Sequence, residues 1–241
     1  MPLEALNMPS NVDIAAQVNA QFDDKDALGL LKAALTEHGK IAMVSSFGTE
    51  SVVLLHMISK IDKNAPILFV ETGMLFAETL AYQQSLAAEF GLTNVQLVKP
   101  DAADLAAKDP DGTLHQVSTD ACCDIRKVAP LERALLPFNG WITGRKRIHG
   151  GQRMSLDLAE TEGPRIKFNP LAHWDSEDIR GYMDFFDLPR HPLAAKGYAS
   201  VGCGPCTSPT KEGEDPRAGR WRGTDKEECG IHFIDGKVVR S

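Results

Sequence analysis

Lys40-Ile41-Ala42-Met43-Val44-Ser45-Ser46 runs into Phe47-Gly48-Thr49-Glu50-Ser51 and then into the apolar residues 52–60. The first part is a short apolar run fit for a buried strand. The last part has the length and composition of a buried helix. A glycine-containing loop joins them. Such a loop leaves the unpaired N–H groups and positive dipole end of a helix facing outward, which is a seat for an anion. Ser45, Ser46, Thr49 and Ser51 add hydroxyl groups. The loop lacks Gly-Lys-Ser/Thr and is therefore not a Walker A loop. Taken alone, it also reads as an ordinary strand-to-helix turn.

Working outward, the strand–helix alternation continues. Residues 27–38 have helical leucine spacing with Gly39 just beyond, a C-terminal cap. Residues 66–70 predict a second strand, with Glu71-Thr72-Gly73 as its exit turn. A helix over 76–90 closes at Gly91, and residues 94–98 form a third strand. Residues 100–118 read as loop with one short helix, and 119–128 and 131–136 as helical. Further strands are expected at 140–143 and 165–169, and a last helix at 176–186 behind Asp175 or Ser176 as N-cap. This alternation predicts an α/β fold with a mostly parallel sheet flanked by helices. Residues 1–25 read as a peripheral arm or helix, 26–206 as the α/β domain, and 207–241 as a mobile C-terminal segment without clear periodicity. His173, His191 and the Trp and Phe residues after 170 read as structural.

Composition narrows the function. The 241 residues carry a net charge of −7, which argues against a general nucleic-acid binder. No apolar run approaches the ~20 residues needed to span a bilayer, and the first residues lack a secretory pattern. Five cysteines and no such signal suit a reducing, cytoplasmic setting. Four of them fall in two pairs, Cys122-Cys123 and Cys203-x-x-Cys206. Four thiolates suit a [4Fe–4S] cluster or a zinc ion, and adjacent cysteines suit the wider cluster better. Disulfides, free thiols or small buried hydrophobes are the remaining readings. Residues 126–153 hold seven Lys/Arg against Glu132 alone. This basic stretch follows a strand and neighbours a cysteine pair, so it reads as an anion site rather than a solvated face.

The combination resembles the iron–sulfur-type assimilatory adenosine 5′-phosphosulfate (APS) reductases of the PAPS/APS reductase (PP-loop) family. The resemblance rests on Cys122-Cys123 with Lys127, Gly202-Cys203-Gly204-Pro205-Cys206-Thr207 and Glu228-Cys229-Gly230-Ile231-His232. It extends to the PP-loop at Ser46–Val53, to Glu71-Thr72-Gly73 with Glu78-Thr79, and to Thr143-Gly144 with Lys146, Arg147 and Arg153. Arg217-Ala218-Gly219-Arg220-Trp221 completes it. Three positions depart from the pattern, Glu71 for Asp, Ala77 for Pro and Lys146 for Arg. The resemblance implies a Rossmann-like adenine nucleotide alpha hydrolase (PP-loop) fold and reduction of APS to sulfite and AMP. It implies one [4Fe–4S] cluster on Cys122, Cys123, Cys203 and Cys206, with a structural and electrostatic role. It makes Cys229 the nucleophile, with Lys127, Arg217, Arg220 and His232 assisting. Ser45, Ser46, Phe47, Gly48, Thr49, Glu50, Ser51, Thr72, Gly73, Gly144, Arg147 and Arg153 are the implied substrate contacts. The implied partners are a thioredoxin or glutaredoxin-like reductant and a second copy, as dimer or tetramer. A PAPS or dual-substrate reductase is the nearest alternative. A tRNA-thiolating PP-loop ATP pyrophosphatase and a cluster-binding redox regulator stand further off.

Overall fold

The computed structural model describes residues 9–150, 153–224, 226, 230, 233–234 and 237–238. Helix α1 (Asn11–Gln21) begins at Ser10, whose hydroxyl accepts from the Asp13 N–H while the Asp13 carboxylate accepts from the Ser10 N–H. Helix α2 (Ala27–Glu37) leads to strand β1 (Ile41–Ser45), helix α3 (Ser51–Ile61) and strand β2 (Ile67–Val70). Helix α4 (Ala77–Phe90) ends at Gly91, whose left-handed φ of 67° lets its N–H reach the Ala87 and Ala88 carbonyls. Strand β3 (Val95–Val98) is followed by short helices α5 (Ala102–Lys108), α6 (Leu114–Val117) and α7 (Thr119–Cys123).

The expected helix over 119–128 does not continue as one. After Cys123 the chain widens into a π-helical turn, Asp124–Val128, before helix α8 (Ala129–Leu135). Pro130 has no N–H to donate and its ring crowds the carbonyl four residues back, which disfavours a tight turn there. Strand β4 (Gly140–Ile142), strands β5 (Ala159–Glu162) and β6 (Arg165–Phe168) and helix α9 (Ser176–Phe185) follow. Asp175 caps α9 with a second reciprocal box through Asp178. A short hairpin pairs Phe233–Ile234 with Lys237–Val238.

The sheet runs β3-β2-β1-β4-β6-β5, parallel throughout except for β5, which pairs antiparallel with β6. Strand β5 was not anticipated: Ala159-Glu160-Thr161-Glu162 is polar and sits on the edge, where no apolar run is needed. Both faces of the central strands are covered. Ile41, Met43, Ile67 and Phe69 pack with α2, α3, α4 and α9, whereas Ala42, Val44, Leu68 and Val70 pack with α8. That is the strict alternation of a pleated strand. Among the described residues no helix is long and apolar enough to cross a membrane.

Residues 207–224 carry little regular structure but are not loose. Thr207 bridges to Arg220, Ser208 N–H bonds to Gly219 O, and Trp221 N–H bonds to Cys206 O at 3.0 Å. Trp221 is 5% exposed, so its ring anchors a stretch whose sequence shows only polar and glycine-rich character.

The closest strand approach tests this sheet. A Cβ on Gly140 would lie 2.4 Å from the Ile166 carbonyl oxygen, a backbone atom that cannot step aside. Gly140→Ala is expected to cost about 2–3 kcal/mol. Thermal denaturation should show this as a Tm lower by about 4–12 °C.

Candidate active site

Strand order reverses between β1 and β4, and ligands of open α/β sheets sit at such a point, beyond the carboxyl ends of the strands. A cavity of about 220 Å³ opens there. Ser45 at the end of β1, Thr72 after β2 and Thr143 and Gly144 after β4 all line it. Ser46, Gly48, Thr49, Glu50 and Ser51 form its floor at the start of α3. That helix begins at Glu50 without a side-chain cap, so its first N–H groups take no bond from a capping side chain.

Phe47 shapes this loop without lining the cavity. It takes a left-handed φ of 48°, and its ring, 0% exposed, packs edge-on against Phe69 at 4.9 Å. An aromatic side chain tolerates that backbone only because burial holds it. The hydroxyls are less available than the sequence suggests. Ser51 donates to Gly48 O and Thr49 to Ala199 O, while Ser45 accepts from the Phe47 N–H.

The walls are cationic. Lys127, Arg145, Lys146, Arg153, Arg217 and Arg220 line the cavity, and Glu50 is the one carboxylate beside them among its lining residues. Lys146 is buried and pairs with Glu50 at 2.7 Å; burial pulls its ammonium below the ordinary lysine range and Glu50 opposes that. Arg153 donates to His149 Nδ1 at 3.0 Å, so the ring proton sits on Nε2, 3.8 Å from Glu50. Burial first, then Lys146, Arg153 and Arg217, push the His149 imidazolium down to about 3. His149 is therefore neutral at physiological pH.

Arg145 and His149 were not singled out as contacts by the sequence reading, because neither stands at a motif position. Arg145 is braced by the unanticipated β5–β6 hairpin. Its Nη1 lies 3.5 Å from Glu160, which also accepts from Asn169 Nδ2 at 2.9 Å. Asn169 Oδ1 in turn accepts from Thr143. Arg147, expected at the substrate, faces elsewhere. Its Nε donates to Leu156 O at 2.6 Å and its guanidinium reaches Asp157. Gly73 likewise lies off the cavity lining, bonding Glu71 Oε1 through its N–H. His191 bonds Thr79, and His173 pairs with Asp24.

Arg220 crosses Gly202 and stacks on Trp221, with its guanidinium 4.6 Å from the ring centre. It donates to Val201 O, and its buried Nε finds no acceptor among the described residues. A cavity-facing arginine in that state fits an incoming anion.

The cysteine pairs gather against the same wall. Cys122, Cys123 and Cys203 are buried and Cys206 is half-buried, all as free thiols. Burial and then Cys123, with smaller effects of Cys203 and Cys206, push the Cys122 thiol up to about 11. Cys206 is also raised by burial and Cys203, with Lys127, Arg220 and Lys226 opposing. Cys203 itself lines the cavity, and Thr72 Oγ1 touches its sulfur at 3.2 Å. No three His, Cys, Asp or Glu side chains among the described residues are set to hold a single metal ion. Four thiols drawn from two chain segments are the donor chemistry that an iron–sulfur cluster or a zinc ion takes. Cys229 and His232 lie outside the described residues. Their described neighbours Lys226 and Gly230 stand against Asp120 and Val128.

A Cβ on Gly202 would lie 2.2 Å from Arg220 Nη2, the mobile end of a side chain. Gly202→Ala should therefore leave the fold intact and swing Arg220 aside, weakening sulfate or phosphate binding about tenfold by calorimetry. His149 sets a pH dependence. Its folded-state value is depressed to about 3, so an unfolded chain takes up a proton first as pH falls from about 6.5. Stability is lost in that window, by at most about 1.4 kcal/mol per pH unit from this group. His149→Gln should flatten the pH dependence of Tm between pH 6.5 and 3.

The phosphoadenosine phosphosulfate reductase domain matches residues 40–209. The chain is 51% identical to the adenosine 5′-phosphosulfate reductase of Mesorhizobium japonicum, over 91% of this chain and 87% of that one. It is 39% identical to the phosphoadenosine 5′-phosphosulfate reductase of Gloeobacter violaceus, over 88% and 90%. Its fold matches the crystal structure of a Candida auris phosphoadenylyl-sulfate reductase in a phosphate complex. The TM-score is 0.69 at 27% identity, covering 83% of this chain and 98% of that one. The strand order and these matches together make the chain a member of the phosphoadenosine phosphosulfate reductase domain family.

Proposed function

We propose that this protein reduces adenosine 5′-phosphosulfate to sulfite and AMP in sulfate assimilation. The observation that carries the reading is a cavity lined by six cationic side chains, sharing Cys203 with a group of four thiols. Relatives named adenosine 5′-phosphosulfate reductase at 51% and 46% identity support it.

In this reading the Cys229 thiolate attacks the sulfur of the sulfuryl group. An S–S bond forms, the S–O bond to the phosphate breaks, and AMP leaves with the electron pair. Lys127, Arg217 and Arg220 hold the sulfuryl and phosphate oxygens, where charge builds up. The same cations favour the thiolate over the thiol. His232 follows Cys229 closely in sequence and is assigned to the same step. A dithiol protein of the thioredoxin or glutaredoxin kind then attacks the S-sulfocysteine. It releases sulfite, restores the thiol, and leaves as its own disulfide.

The four-thiol group is assigned to one [4Fe–4S] cluster on Cys122, Cys123, Cys203 and Cys206. When bound, it supplies a fixed compact charge and a covalent tie between two chain segments. Lys127 is assigned to couple that group to the cavity, because it lines the cavity and its charge opposes the rise of the Cys206 thiol. The free thiols fit a reducing compartment, which we take to be the cytoplasm. Assembly as a dimer or tetramer belongs to the same reading. The surplus of cations also suits the more anionic 3′-phosphorylated nucleotide, and a relative named for that substrate makes it the second reading.

Anaerobic incubation with APS, without reductant, should raise the intact mass by one SO₃ group. The gain should be absent in Cys229→Ser. An adduct that persists in Cys229→Ser would remove the nucleophile assignment. No adduct with APS but one with PAPS would favour the second reading.

A further inference from the structure

We propose that Glu50 sets the choice between a nucleotide with a free ribose hydroxyl and one with an additional phosphate there. The inference rests on the nucleotide reading of the cavity and deepens it. Six cations lining one cavity favour the more highly charged of two ligands that fit. Glu50 is the carboxylate set among them, and it stands at the start of α3 where anion affinity would otherwise be greatest.

Its placement is held from two sides. Lys146, 3% exposed in its side chain, pairs with Oε2 at 2.7 Å, and His149 Nε2 faces the same oxygen at 3.8 Å. The carboxylate side chain itself remains 32% exposed, and it also borders a second, more open cleft lined by Arg180, Lys211 and Tyr198. Glu50 thus stands on the loop between two hollows, where an added substituent on a bound nucleotide meets its charge. The cavity measures about 220 Å³. Unit charges interact over about a Debye length, about 8 Å at physiological salt, so an added dianionic phosphate seated beside Glu50 is repelled by it. A hydroxyl in its place meets a carboxylate acceptor instead.

The pairing with Lys146 strengthens the effect. Replacing the carboxylate by an amide removes one negative charge and also releases a buried ammonium from its counter-ion. Both changes favour the extra phosphate.

The test is a pair of binding constants, independent of turnover: AMP and adenosine 3′,5′-bisphosphate, titrated calorimetrically against the full-length protein. Glu50→Gln should shift the ratio of the two affinities about tenfold toward the bisphosphate. Glu50→Asp, which keeps the charge, should hold the ratio near the wild-type value. The ratio of kcat/KM for APS and PAPS should move in the same direction. If both affinities change together and the ratio stays fixed in Glu50→Gln, the carboxylate is only a partner for Lys146 and the proposal is overturned. If the wild-type protein binds neither nucleotide, the nucleotide reading itself fails, and this inference with it.

Discussion

Positive charge held away from bulk water is the constraint on which the site depends. The chain as a whole is acidic, yet six cations converge on one cavity. Unpaired, they would repel one another and lose hydration. The structure relieves this locally. Lys146 has Glu50, Arg145 has Glu160, and Arg217, Arg220 and Lys226 all lie within 6 Å of the Trp221 ring centre. The relief is partial, as the orphaned Arg220 Nε and the neutral His149 show. A bound anion would complete such a pocket.

Two aromatic residues carry the backbone through the turns that make this possible. Phe47 and Trp221 both take a φ of 48°, a conformation bulky side chains rarely adopt. Each is nearly or fully buried, so ring packing offsets the local cost. Phe47 turns the chain from β1 into α3, and Trp221 turns it after the arginines and bonds back to Cys206. The β1–α3 loop and the arginines before Trp221 both line one cavity.

Much of this was legible in the sequence, for physical reasons that differ by element. Buried parallel strands such as Ile67–Val70 need continuous apolar runs, and those are visible. The cysteine pairs and the glycine loop announce themselves by spacing. Strand β5 was not legible, because an edge strand with one partner needs no apolar signature. The π-helical turn at Asp124–Val128 was read as ordinary helix, since side-chain periodicity hardly distinguishes the two over five residues. Arg147 and Arg145 are the instructive pair. Spacing marks which stretch is basic, but backbone direction after β4 decides which guanidinium enters the cavity. The hydrogen bonds of Arg147 to Leu156 and Asp157 take it out of reach.

The thiol group and the anion cavity are parts of one mechanical unit. The Thr72 hydroxyl and the Cys203 sulfur share a hydrogen bond, and the Thr72 carbonyl accepts from Arg126 Nη1 at 3.0 Å. Arg126 is buried and clamps Asp109 at 2.6 Å; burial would raise that carboxylate, but Arg126 and the Leu114 N–H hold it below its ordinary range. Lys127, the next residue, turns into the cavity. Consecutive side chains of a helical turn point in different directions, and here Arg126 bonds Asp109 and Thr72 while Lys127 lines the cavity. Any shift of the cysteine pair at 122–123 therefore moves Lys127, and any shift of Cys203 moves Thr72. The geometry at the thiols and the electrostatics at the anion seat cannot be adjusted separately.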